Sequence, residues 1–170
     1  MDKKSTSIKD FHIPRWEEFP NVDLYLDQVV SFINTSLSSY ISIDNEDKSD
    51  NQLLTKTMIN NYVKNSLIEP PHKKQYSKNH LAKLFAICVL KQVYSMQEIK
   101  YLIDIAIEDN KISNAYDNFC DLFEEALICT YSKKDFIDKN INNDSLYLLK
   151  SVLLSCSYKI YVQSIISKEK

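Results

Sequence analysis

The chain has 170 residues and not one of them is glycine. Glycine is the residue that takes positive φ without steric penalty, so phosphate-cradling loops, nucleophile elbows and dinucleotide-binding fingerprints all depend on it. None of these can be built here, and the usual nucleotide enzymes are excluded with them. Tight two-residue hairpins also favour glycine, and only four prolines are left as punctuation. The chain is therefore expected to be mainly all-α.

Apolar residues recur at helical spacing in six stretches. The first, 21–41, places Val22, Leu26, Val29, Val30, Ile33, Leu37, Tyr40 and Ile41 on one face, widened by Phe32, with Asn21 as its expected cap. A polar loop, 42–52, separates it from a short helix over 55–65 capped by Thr55. Helices over 77–92 and 95–107 follow, and Ser95 with Glu98 fits a capping box. The last two patterns are 112–130 and 144–166, and the final one is apolar around much of its circumference. A helix of that kind is buried against several partners or against a second subunit. Ahead of them all, residues 1–10 are polar and lysine-rich and read as a flexible N-terminus, and Phe11 to Pro20 reads as an extended strap anchored by Trp16. The resulting division is a flexible 1–10, a main domain over 11–107, and a C-terminal helical region over 108–170 for dimerisation or effector binding.

The longest unbroken apolar run, Leu84 to Leu90, is far short of the ~20 residues that span a bilayer. With no apolar run behind a basic start, a cytoplasmic protein is expected. Cys88, Cys120, Cys129 and Cys156 sit in apolar helical patterns without a CxxC pair or a histidine at ligand spacing, so they read as core residues and neither metal nor cofactor is expected. His12, His72 and His80 lie in three different contexts, with no serine or cysteine locally paired to one of them as a nucleophile would be. The carboxylates Asp104, Glu108, Glu124 and Glu125 read as solvated helix surface, and the chain is not expected to be an enzyme.

Net charge is −2, but its distribution is uneven. Residues 51–103 hold eight lysines (Lys56, Lys64, Lys73, Lys74, Lys78, Lys83, Lys91, Lys100) against Glu69 and Glu98, a net +6, and the remainder carries −8. A basic middle between acidic ends is the footprint of a chain whose middle meets phosphates, although lysines also serve simply to solvate helix faces.

Within that middle, Leu67, Ile68, Pro70, Tyr76, Ser77, Leu81, Leu84, Ser95, Glu98 and Ile99 fall in register with a known pattern. It is a capped helix ending in a hydrophobic turn and a proline, a basic wing ending in Tyr-Ser, and two further helices. The stretch 55–99 thus resembles the MerR family. The resemblance implies a MerR-like winged helix-turn-helix with a short wing, the N- and C-terminal helices packing around it as a helical bundle. It aligns Thr55 with the helix cap, Asn60 with a phosphate-binding arginine, Asn61 and Tyr62 with two aromatic positions, and Lys74 with the wing arginine. Ser66 stands at the family's turn glycine and His72 at its wing glycine, while the glycine before the last helix is deleted. The family's short helix before the recognition helix is missing, and 21–41 is expected to replace it. A second resemblance is broader. Ile13-Pro-Arg-Trp-Glu-Glu-Phe-Pro-Asn-Val-Asp-Leu-Tyr-Leu-Asp-Gln-Val-Val30 and Leu54-Thr-Lys-Thr-Met-Ile-Asn-Asn-Tyr-Val-Lys64 are similar to signatures of domain-of-unknown-function family 1836 across nearly the whole chain. That name carries no activity.

A helix starting at Thr55 presents Thr57, Asn60, Asn61 and Lys64 outward while Met58, Ile59, Tyr62 and Val63 pack inward, as a recognition helix in a major groove requires. Arginine, the usual reader of guanine, occurs once, at Arg15, so base readout would lean on asparagine to adenine and threonine to the thymine methyl. The expected DNA-binding set is Thr55, Lys56, Thr57, Asn60, Asn61, Lys64, Lys73, Lys74 and Tyr76. The expected function is a transcriptional regulator binding double-stranded DNA as a homodimer, since one small helix-turn-helix makes few contacts. The alternative is a helical adaptor engaging another protein through 116–166, with the helix-turn-helix kept as scaffold.

Overall fold

The computed structural model describes residues 7–41 and 52–169. Most of the expected loop 42–52 and the first six residues of the expected flexible start lie outside these. Ile8–Asp10, the end of that start, forms a 3-10 turn. Six α-helices follow in order: α1 (Leu26–Leu37), α2 (Lys56–Lys64), α3 (Lys78–Leu90), α4 (Met96–Glu108), α5 (Ile112–Ser132) and α6 (Asp144–Glu169). The architecture is mainly helical. The two strands, β1 (Leu24–Tyr25) and β2 (Gln75–Tyr76), are two residues each and pair antiparallel, Leu24 with Tyr76 and Tyr25 with Gln75. Among the described residues no helix is long and apolar enough to cross a membrane.

The first helix starts five residues later than its apolar pattern suggests. Leu24 and Tyr25 lie inside the expected range, but their backbone is drawn into β1, and Val22 is left exposed. The Tyr25 N–H, orphaned by the helix start, donates to Gln28 Oε1 at 2.9 Å. Elsewhere local signals set the starts. Ser95 Oγ accepts from the Glu98 N–H while Glu98 accepts from the Ser95 N–H at 2.7 Å, and the Ser95 N–H holds that carboxyl below the ordinary range.

The centre of the protein is α3. Leu81, Leu84, Phe85, Ile87, Cys88, Val89 and Leu90 are all buried, and the helix packs on α1, α4, α5, α6 and β2. One hydrophobic core runs through the chain from Phe11 to Ile160, joining the main segment to the C-terminal hairpin α5–α6. Cys88, Cys120 and Cys156 are buried in it as free thiols. Burial pushes the Cys88 thiol up to about 11 and those of Cys120 and Cys156 up to about 12, so all three stay protonated at neutral pH.

The strap over 11–20 is more tightly built than its composition suggests. Its buried anchors are Phe11, Ile13 and Phe19, while Trp16 is only half-buried and opens a second 3-10 turn, Trp16–Glu18. Its backbone is clasped to α5: the Ile13 N–H donates to Glu124 at 2.8 Å, the Trp16 N–H to Asp117 at 2.8 Å, and the Tyr116 hydroxyl to the Pro14 carbonyl at 2.7 Å. The expected solvated face of α5 is corrected at Glu124, which is occupied by Arg15 and Ile13 and shows 16 % of its side chain to solvent.

Candidate nucleic-acid interface

The short helix α2 is amphipathic in the way its sequence requires. Thr55 caps it, Oγ1 accepting from the Met58 N–H at 3.2 Å. Ile59 and Tyr62 are buried and Met58 and Val63 half-buried, which leaves Thr57, Asn60, Asn61 and Lys64 exposed together. Burial among these neighbours pushes the Tyr62 phenol up to about 12. The segment entering α2 is fixed from two sides. Asn34, in the middle of α1, donates to the Leu54 carbonyl at 2.7 Å and accepts from the Leu54 N–H at 3.0 Å, so a polar residue inside a helix is fully used. From α3's end, the Lys91 ammonium donates to the Leu53 carbonyl. Lys91 is consequently interior, and burial lowers its pKa from the ordinary lysine value.

Helix α2 ends in a Schellman motif built without glycine. Ser66 takes φ 57°, its N–H bonding to the Val63 carbonyl at 3.0 Å and the Leu67 N–H to the Tyr62 carbonyl at 2.8 Å. After Pro70 and Pro71 the chain turns back in a two-residue hairpin: the His72 N–H donates to the Gln75 carbonyl at 3.1 Å and the Gln75 N–H to the His72 carbonyl at 2.8 Å. The residues at its tip are Lys73 and Lys74, with φ 47° and 65°. Positive φ at both central positions is the requirement of a type I′ turn, which asparagine and glycine meet cheaply and lysine does not. The tight hairpin that a glycine-free chain seemed unable to make is present, at the expense of two strained lysines on its apex.

Below the tip the hairpin is tied down. His80, buried at the start of α3, bridges its two limbs: Nδ1 accepts from the Ser77 N–H at 3.0 Å and Nε2 lies 3.1 Å from the Glu69 carbonyl. The ring packs edge-on to Tyr76. Tyr76 differs from the rest of the expected DNA-binding set, being only 3 % exposed and packed between β1 and His80 at the base of the hairpin. Helix α1 packs against both α2 and β2 and carries the short helix and the hairpin together.

Part of the basic charge of this region is consumed within the fold. Lys56 meets Asp27, Lys83 meets Glu69 at 2.5 Å, Lys78 donates to the Trp16 carbonyl, and Lys91 is interior. Burial alone would raise the Glu69 carboxyl, but the Lys83 ammonium brings it below the ordinary range. Lys64, Lys73, Lys74 and Lys100 are exposed, and among the described residues none has a carboxylate at ion-pair distance. Arg15, the sole arginine, is held by Asp121 and Glu124 and is not available to a ligand. The pairing of Lys56 with Asp27 and the clamp of Asn34 on Leu54 are made across 20 or more residues and have no local signal, whereas the bridge at His80 joins Ser77 and Glu69 nearby in the chain.

The strained tip gives a direct test. Replacing Lys73 by asparagine and Lys74 by glycine supplies the preferred type I′ pair and is expected to raise stability by about 1 kcal/mol, because each αL lysine costs about that much and roughly half of the sum is lost again to the residual αL cost of asparagine and the freedom of glycine in the unfolded chain. For a chain of this size that is an increase of roughly 2–4 °C in Tm. A thermal melt unchanged or lowered would show that the hairpin carries no such strain.

The family described as Domain of unknown function (DUF1836) matches residues 14–119. The match runs from the strap through α2 and the hairpin into the first half of α5, and it stops short of the nearly complete coverage that the sequence signatures suggested. No curated protein and no solved structure matches the chain.

Proposed function

Since the chain belongs to a family whose description names no activity, we propose from the geometry of its surface that it is a DNA-binding transcriptional regulator, with α2 as the recognition helix and the 72–75 hairpin as a short wing of MerR-like form. One observation carries the reading: a capped, exposed helix face of Thr57, Asn60, Asn61 and Lys64 shares the platform α1 with a hairpin whose apex is two exposed lysines. Strain at a charged apex is retained where the side chains have a use. Asn60 and Asn61 suit adenine edges and Thr57 the thymine methyl, which favours A/T-rich sites, while Lys64, Lys73 and Lys74 suit phosphates. Thr55 acts as the cap, and Lys56 reaches a phosphate only by leaving Asp27.

The test is fluorescence anisotropy of a labelled A/T-rich duplex. Three phosphate contacts per protomer predict that affinity falls about forty-fold between ~50 and ~200 mM salt for each protomer bound. Lys64→Ala, and Lys73→Ala with Lys74→Ala, are each expected to weaken binding and to reduce the salt slope by about one per lysine removed. A folded protein that binds no duplex at low salt refutes the regulator and favours a helical adaptor, the reading supported by the exposed apolar side chains of α6.

A further inference from the structure

One acid stands within the candidate DNA-binding surface. Asp27 lies in the first turn of α1 and holds Lys56, the first residue of α2, in an ion pair, with more than half of each side chain exposed. Among the described residues no other lysine of the expected DNA-binding set has a carboxylate at ion-pair distance. The place of the pair is between the two parts of that surface. Tyr25, two residues before Asp27, pairs with Gln75 of the hairpin, next to the apex at Lys74, and Lys56 opens the helix on the other side. A DNA backbone that touches both α2 and the hairpin tip passes over this ground.

Stability does not account for the pair. An acid in the first turn of α1 suits the helix dipole whichever way it points, and an exposed ion pair between mobile side chains adds little to a fold. Toward DNA the same acid is costly. It neutralises a lysine that would otherwise meet a phosphate, and a carboxylate left beside a phosphate repels it. We propose that Asp27 is an internal competitor for phosphate, which occupies Lys56 and holds the chain to the contacts of Lys64, Lys73 and Lys74. To the Lys56 ammonium a carboxylate and a phosphate diester offer the same thing, anionic oxygens that accept charge-assisted hydrogen bonds. Contact with Asp27, however, releases no counterions from DNA, and that release is what makes phosphate contacts favourable. Since phosphates carry no sequence information, the effect is to weaken attachment to DNA at large and to leave a greater share of the binding to Thr57, Asn60 and Asn61. The inference rests on the regulator reading and deepens it, naming what limits the affinity of the same surface.

Anisotropy of labelled A/T-rich and G/C-rich duplexes tests it with wild type, Asp27→Asn, Lys56→Ala and the double variant. Asp27→Asn is expected to bind both duplexes on the order of ten-fold more tightly at ~50 mM salt, with a salt slope steeper by about 0.9, so that the advantage shrinks about three-fold by ~200 mM. Lys56→Ala should leave the wild-type slope unchanged and lower that of Asp27→Asn by about 0.9, which a general change of net charge cannot produce. Thermal melts of wild type and Asp27→Asn should coincide. The inference is overturned, and the regulator left standing, if wild type binds and Asp27→Asn binds no tighter, or if Lys56→Ala lowers the slope equally in both backgrounds. An equal gain from Asp23→Asn overturns it too, since Asp23 is exposed and, among the described residues, holds no lysine. Absence of duplex binding by all of these proteins at low salt removes the regulator itself, and the inference with it.

Discussion

Phe85→Ala is expected to lower stability by about 4 kcal/mol, the range for truncating a fully buried phenylalanine, and to lower Tm by roughly 8–16 °C. The size of the effect follows from where the ring sits. Phe85 is fully buried in α3 and stacks on Phe19 of the strap, with centres 5.8 Å apart and planes 11° apart. It meets Phe32 of α1 edge-on at 5.7 Å and Tyr116 of α5 at 6.3 Å. One side chain thus joins four separate parts of the chain, and its removal leaves a cavity that no single neighbour can fill. Phe85→Leu keeps most of the volume and should lose less than about 1.5 kcal/mol. Chemical denaturation of the three proteins checks the order, and an alanine variant within about 1 kcal/mol of wild type would mean that the aromatic cluster is not a shared core.

How much of this was legible in the sequence depends on the distance over which each feature is decided. Helix starts set by residues three apart were legible: Thr55 caps α2, and Ser95 with Glu98 closes α4 as its spacing implies. The inner and outer faces of α2 followed from periodicity in the same way. The start of α1 did not, because Leu24 and Tyr25, inside its expected range, are claimed by β2, far along the chain. The tip of the hairpin was hidden for another reason. Ser66 aligns with a glycine and was marked by it, whereas nothing in the pair Lys73-Lys74 signals positive φ.

Charge was the least legible quantity of all. A count of lysines treats Lys64 and Lys91 alike, yet one is exposed on α2 and the other is interior beneath Leu53. Of the eight lysines that made the middle of the chain basic, four have partners in the fold and the other four are exposed with no carboxylate at ion-pair distance among the described residues. The candidate surface is thereby narrower and better defined than the composition implied, and its strength rests on Lys64 and the strained pair at the hairpin tip.

The carboxylate that composition assigned to solvent carries the other large prediction. Glu124 accepts from Arg15 Nη1 at 2.7 Å, from Arg15 Nη2 at 2.8 Å and from the Ile13 N–H at 2.8 Å, while Asp121 takes the remaining side of the guanidinium. Those hydrogen bonds to Glu124 are the strongest reason to raise the Arg15 pKa above its already high ordinary value. Glu124→Ala leaves a half-buried guanidinium with a single carboxylate and an N–H beneath the strap with none. The expected loss is about 2–3 kcal/mol, below the figure for a fully buried pair because both groups keep some contact with water, and Tm should fall by roughly 5–10 °C at neutral pH. Glu124→Gln keeps an acceptor for the Ile13 N–H and should lose about half as much. Acid should lower both proteins alike. Glu18, at the other end of the strap, is held below its ordinary value of 4.5 by the Arg15 N–H first and by His12 second. A carboxylate lowered in the folded state stabilises it above the ordinary value, and that contribution disappears as pH falls through the lowered one. Wild-type stability should therefore decline below about pH 4.5, and the variant, which keeps Glu18, Arg15 and His12, should decline with it. Thermal melts at neutral pH and at about pH 3.5 decide the matter, and a Glu124→Ala protein that melts with wild type at neutral pH would show that packing alone holds the strap.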